Sequence, residues 1–153
     1  MKLTDCINNL VTDWIDSYSE EAAVGNLESM LIYSKLLLRG ASTIPQDIKQ
    51  SLYWLKKACK IHPEAAFRLG KIYQKGKYVS TDIPKAYFYF RLATLSRCKC
   101  GVLREEYHSK KISNVHPCFP NEAIQEINKL QLSNELKNQL EQDFLIWKTS
   151  NLR

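Results

Sequence analysis

Apolar residues recur at helical spacing through almost the whole chain, and short polar breaks divide them into segments. Leu3, Ile7, Leu10, Val11, Trp14, Ile15 and Tyr18 form the first stripe. It predicts a helix over residues 3–24, single or broken near Thr12, that covers the segment following it. Further stripes predict helices at 27–39, 48–60, 64–75 and 83–96. Asp47 with Gln50 reads as a capping-box-like start, and Pro63 after His62 as a first-turn position. Gly101 to Ile112 reads as another helix, and the run NVHPCFPN after it, with two prolines, as a loop. Ala123, Ile124, Ile127 and Leu130 predict a short helix. Ser133 then caps a last one carrying Leu136, Leu140, Phe144 and Trp147.

The stretch from Glu64 to Ala93 organises the rest. Ala66, Leu69 and Tyr73 share one face, Tyr87, Phe90 and Ala93 another, and neither helix can bury its stripe alone. Gly70 sits mid-helix, where glycine costs about 1 kcal/mol relative to Ala, so a second helix is expected to pass very close to it. Gly76 suits the positive φ that ends a helix, Asp82 caps the next, and Pro84 is tolerable in the turn that follows. The unit is an αα-hairpin, and it has a copy upstream. A shift of 36 places Met30 on Ala66, Tyr33 on Leu69, Ser34 on Gly70, Leu37 on Tyr73 and Gly40 on Gly76. Past the loop the shift is 35, pairing Asp47 with Asp82, Leu52 with Tyr87, Trp54 with Tyr89 and Ala58 with Ala93. A helix–turn–helix unit at this period signals an α-solenoid.

Ala66, Leu69, Gly70, Tyr73, Gly76, Val79, Asp82, Lys85, Ala86, Tyr89 and Ala93 make the second unit resemble a Sel-one-like repeat, a relative of the tetratricopeptide repeat; Thr94 replaces the pattern's second small residue. The first unit departs from the pattern with Ser34 for Gly, Leu37 for Tyr and Ser51 for Ala, and is the weaker copy. Ala22, Ala23, Gly25 and Asn26 match the small-small-x-Gly-Asn link between repeats, so the resemblance runs from about Thr12 to about Cys100. LSNELKNQLEQDFLIW resembles the terminal helix that closes bacterial members. The resemblance implies an all-α, right-handed α-solenoid of antiparallel helix pairs with a C-terminal capping helix. Its expected parts are a half-repeat at 3–24, repeats at 27–60 and 64–97, and a degenerate third unit and cap over 101–150, in a single domain. It also implies an adaptor or scaffold that binds proteins; small bacterial members serve as immunity proteins neutralising a toxin or as secreted effectors.

Composition narrows this. With 44% hydrophobic and 25% charged residues, the chain falls among ordinary globular domains, and no apolar run reaches the 18 or so residues of a membrane span. Five cysteines without regular spacing fit free thiols in a reducing compartment, and the polar-punctuated start lacks the apolar core of a secretory signal, so a cytoplasmic location is expected. The net charge of +6 favours an anionic partner. Nucleic acid is not the expected one, because the tyrosines fall mostly on the predicted buried stripe rather than among exposed bases.

Candidate chemistry is sparse. Cys98 and Cys100 with His116 and Cys118 supply four soft or borderline donors, yet zinc is usually held by C-x₂₋₄-C knuckles and a C-x-C spacing is less common. A zinc- or thiol-dependent enzyme at these residues is the rival class. Cys59 with His62 is a second thiol pairing, but Cys59 follows Ala58 at a small packing position, where a buried free thiol is the ordinary reading. There is no phosphate-binding glycine loop, nucleophile elbow or H-E-x-x-H, so no enzyme and no cofactor are expected. The positions that the buried pattern leaves free on each first helix recur as Lys35 and Lys71, Arg68 and Arg104, then Arg39, Lys75 and Lys111. The resemblance places this helix on the concave face, where these side chains form a basic ladder for an acidic protein; the plain alternative is a solvated charged face.

Overall fold

The computed structural model describes residues 3–40, 43–95 and 119–151, with side chains described from residue 11 onward. The described residues form α1 (Leu3–Ala23), α2 (Leu27–Arg39), α3 (Ile48–Ala58), α4 (Pro63–Lys75), α5 (Ile83–Leu95), α6 (Phe119–Lys129) and α7 (Asn134–Asn151), and no strand. Each of the first five helices packs on the next in sequence, so two hairpins, α2–α3 and α4–α5, stack as an α-solenoid. α6 then lies on α5 and reaches α4, and α7 packs on α5.

The local signals act as their chemistry dictates. Asn26 Oδ1 accepts the Ser29 amide, Asp47 Oδ1 the Gln50 amide and Asp82 Oδ1 the Lys85 amide, so each cap satisfies an orphan donor. The caps also tie the hairpins shut in the same way twice. The Asp47 amide donates to the Leu37 carbonyl at 2.9 Å, and the Asp82 amide to the Tyr73 carbonyl at 3.0 Å. Those carbonyls are equivalent under the repeat shift. Gly76 takes φ +65°, as a helix-ending glycine should. Gly70 has no room for a side chain: a Cβ there would lie 2.5 Å from the Phe90 ring. That contact is the close helix approach the mid-helix glycine predicted.

The core centres on the stripes read over Glu64 to Ala93, with Ala66, Leu69, Phe90 and Ala93 at 0% exposure and Tyr73 and Tyr87 buried beside them, whereas Ile124 and Leu136 of the stripes read further on are exposed. Tyr73 and Tyr89 stack at 5.7 Å between the helices of the second hairpin. Two expectations need correction. α1 is one unbroken helix, and among its described side chains Ala22 is buried and Ile15 packs on the core, while Val11 and Trp14 of the expected stripe are exposed, Trp14 by 73%. α1 has 21 residues and α2 has 13, so at 1.5 Å per residue α1 is the longer by roughly 12 Å. The loop expected through Asn121 ends sooner, because Phe119, Pro120 and Asn121 begin α6. Proline fits there since a first-turn amide needs no intrahelical acceptor. The helix expected over 101–112 lies outside the described residues.

Candidate functional site

The first helices of the two hairpins, α2 and α4, meet along one side of the stack. There the Arg68 guanidinium, ion-paired with Glu64 one turn back, reaches across to donate to the Leu31 carbonyl at 3.1 Å. Beside it is an open depression of about 290 Å³, lined by Ile32, Lys35, Leu36, Arg39, Gly40 and Arg68. Helical spacing puts Lys35 and Arg39 one turn apart on α2, and α4 supplies Arg68 opposite them. Lys35 and Arg39 are exposed, and among the described residues neither has an acidic partner. The depression thus has an apolar floor under three cations, two of which are free to bind.

The remaining members of the predicted ladder fare differently. Lys71 turns to α6, where its ammonium contacts Glu126 Oε2 at 2.8 Å. Gln74 donates to the same oxygen at 3.1 Å, and Lys129 to Oε1 at 2.9 Å. Burial alone would raise the Glu126 pKa, but these bonds outweigh it and hold the carboxyl down at about 2. Lys75 stands exposed in the last turn of α4. Arg104 and Lys111 lie outside the described residues, as do Cys98, Cys100, His116 and Cys118. Cys59 is 5% exposed with its thiol donating to the Lys56 carbonyl, and burial pushes its pKa up, away from the thiolate. His62 lies 3.7 Å from Glu28. Among the described residues no group of three or more His, Cys, Asp or Glu side chains could hold a metal ion, and no helix is long and apolar enough to cross a membrane.

The opposite side of the stack, built by α3 and α5, carries features the sequence reading passed over. On α5, Arg91 forms a two-pronged ion pair with Glu141 of α7, with Nε to Oε2 at 2.8 Å and Nη2 to Oε1. The Tyr87 hydroxyl donates to that carboxylate at 2.6 Å. Arg91 holds the Glu141 carboxyl below its ordinary range against the effect of burial, while burial and then Glu141 push the Tyr87 hydroxyl up to about 12. On α3, Lys49, Tyr53, Lys56 and Lys57 are all exposed, as is Lys60 in the turn that follows. Their spacing of i, i+4, i+7, i+8 and i+11 is the signal that would have found this patch from sequence.

Stacked αα-hairpins whose side faces carry the free polar chemistry define a helical-repeat interaction scaffold. A protein-family model described as Sel1 repeat matches residues 27–60 and 63–96, one match for each hairpin. The two hairpins thus match Sel1-like repeats, over 68 of the chain's 153 residues. Sel1 repeats generally mediate protein–protein interaction and are typically non-catalytic. Among solved structures, the crystal structure of a Sel1 repeat protein from Oxalobacter formigenes is similar at 20% sequence identity, covering 85% of this chain and 98% of that one with a TM-score of 0.49. No curated protein sequence matches this chain.

Proposed function

We propose that this protein is a cytoplasmic, non-catalytic binding module, an adaptor, scaffold or inhibitor, that holds an acidic protein at the depression formed by Lys35, Arg39 and Arg68. The observation that carries the reading is the state of those cations. Lys35 and Arg39 stand without an acidic partner among the described residues, over an apolar floor of Ile32 and Leu36. Such a surface suits an apolar anchor flanked by carboxylates, with the charges speeding encounter and the anchor slowing release. Lys75 extends the basic surface along α4.

Capture of partners from native cells, with wild type and the Lys35→Glu/Arg39→Glu variant run in parallel, tests this. The expected result is a partner with an acidic surface that the variant loses. Purified, that partner should bind wild type with an affinity that falls as salt rises, and bind the variant roughly tenfold or more weakly through slower association. Equal recovery on both baits would overturn the reading, and so would co-purifying nucleic acid that the variant releases.

A further inference from the structure

The internal repeat supplies its own evidence for a second docking surface, on the other side of the stack and independent of the depression. Under the 35-residue shift, Tyr53 of α3 is equivalent to Phe88 of α5, and Lys56 to Arg91. In the second hairpin this aromatic–base pair is covered by α7. Phe88 meets Trp147 edge-on at 4.8 Å and Phe144 at 5.7 Å, while Arg91 grips Glu141 and lies over the Phe144 ring at 5.2 Å. The covering helix thus uses a carboxylate, then an aromatic three residues on, then a second aromatic after three more, all on one face.

In the first hairpin the equivalent pair is bare. Tyr53 is 56% exposed, its ring held edge-on against buried Trp54 at 5.1 Å, and Lys56 is exposed beside it. Lys49 and Lys57 share that helix, Lys60 follows in the turn after it, and no acidic residue occurs between Ile48 and Pro63. We infer that this α3 face is the docking seat for an amphipathic, acidic helix of a partner protein, which places a carboxylate on Lys56 and an aromatic ring on Tyr53 as α7 does on Arg91 and Phe88. The extra lysines call for a helix more acidic than α7, which carries three acids and two bases. α7 of a second copy is not the natural occupant, because its Phe144 is 2% exposed in its own chain.

The probe is a fluorescent synthetic peptide with the sequence of residues 131–151, which carries the Glu141, Phe144 and Trp147 pattern, titrated with the full chain. The expected result is saturable binding that weakens with salt. It should fall tenfold or more for Tyr53→Ala/Lys56→Glu and for Lys56→Glu alone, both at exposed positions, with thermal midpoints close to wild type. A peptide bearing Glu141→Lys should bind the Lys56→Glu chain better than the wild-type peptide does. Lys35→Glu/Arg39→Glu should leave peptide binding unchanged, which separates this surface from the depression. No detectable binding, or undiminished binding to Tyr53→Ala/Lys56→Glu as expected if the peptide only exchanges with α7 on α5, would overturn the inference. So would displacement of the peptide by poly-U RNA as effective as by unlabelled peptide, which would mark a non-specific polyanion site. A dimer of the unliganded chain that Tyr53→Ala dissociates would assign the seat to a second copy instead, and overturn it too.

Discussion

The two hairpins solve one packing problem in two ways, and what surrounds them differs more than what fills them. In the second, Gly70 yields its side-chain space to Phe90. In the first, the equivalent positions hold Ser34 and Leu55, a larger residue for Gly and a smaller one for Phe, both at 2% exposure or less. The first hairpin adds a hydrogen bond from the Ser51 hydroxyl to the Ser34 carbonyl at 2.7 Å, where the second has Ala86. Ser51, one of its departures from the family pattern, thus has a partner within the hairpin, and the Ser34–Leu55 exchange reads as compensation for Gly70–Phe90. Outside the core the contrast is one of coverage. Lys71 and Arg91 of the second hairpin are taken by Glu126 and Glu141, whereas Lys35 and Lys56, their equivalents in the first, are exposed. The second hairpin is completed from within the chain, whereas the first leaves these bases exposed, and it is there that a partner is proposed to bind.

The largest expected effects come from removing that internal cover. Phe144→Ala empties a fully buried site between α7 and α5 and should destabilise by about 3–5 kcal/mol in chemical denaturation. Trp147→Ala, expected to cost as much were the ring buried, should cost about 2 kcal/mol because the ring is only half-buried. Next is the Gly70–Phe90 exchange. Gly70→Ser should cost about 1–3 kcal/mol by overpacking against the ring, and under about 1 kcal/mol in a Phe90→Leu background, which imports the first hairpin's pair. The same cost in both backgrounds would break the claim of compensation.

A smaller effect is visible in acid. The folded-state pKa of Glu126 is about 2 against an ordinary 4.5, so its ion pairs contribute stability that is complete above the ordinary value and lost as pH falls through about 2. Because Lys129 is largely exposed and its share is screened, the contribution should be about 1–2 kcal/mol. Glu126→Gln should show that deficit at pH 6, and the gap to wild type should close as pH approaches 2. Ser51→Ala, which copies Ala86 into the first hairpin, should cost least, about 1 kcal/mol or less for one neutral hydrogen bond.

How much the chain disclosed follows from how far each feature reaches. Glycine at 70 and 76, the caps at Asp47, Asp82 and Ser133, and the two-fold repetition are local, and each appears where the sequence placed it. The exposure of Trp14 depends on what packs beside α1, which no periodicity within α1 encodes. The fate of Lys71 and Arg91 depends on carboxylates 55 and 50 residues away, brought in by α6 and α7. Spacing could nominate the bases of the ladder but could not separate the paired from the free. The lysine face of α3 is written in plain helical spacing, on a second helix and so outside the ladder that the repeat register traces along the first helices.

The first hairpin is the proposed seat of the partner. Its most direct test measures the affinity of the captured acidic partner for two variants with the same change in net charge, Lys35→Glu/Arg39→Glu in the first hairpin and Lys77→Glu/Lys137→Glu outside it. The predicted result is a tenfold or greater loss confined to the first variant, with the second within about twofold of wild type. Equal losses would reduce the interaction to net charge, and no loss in either would leave the first hairpin without its assigned role.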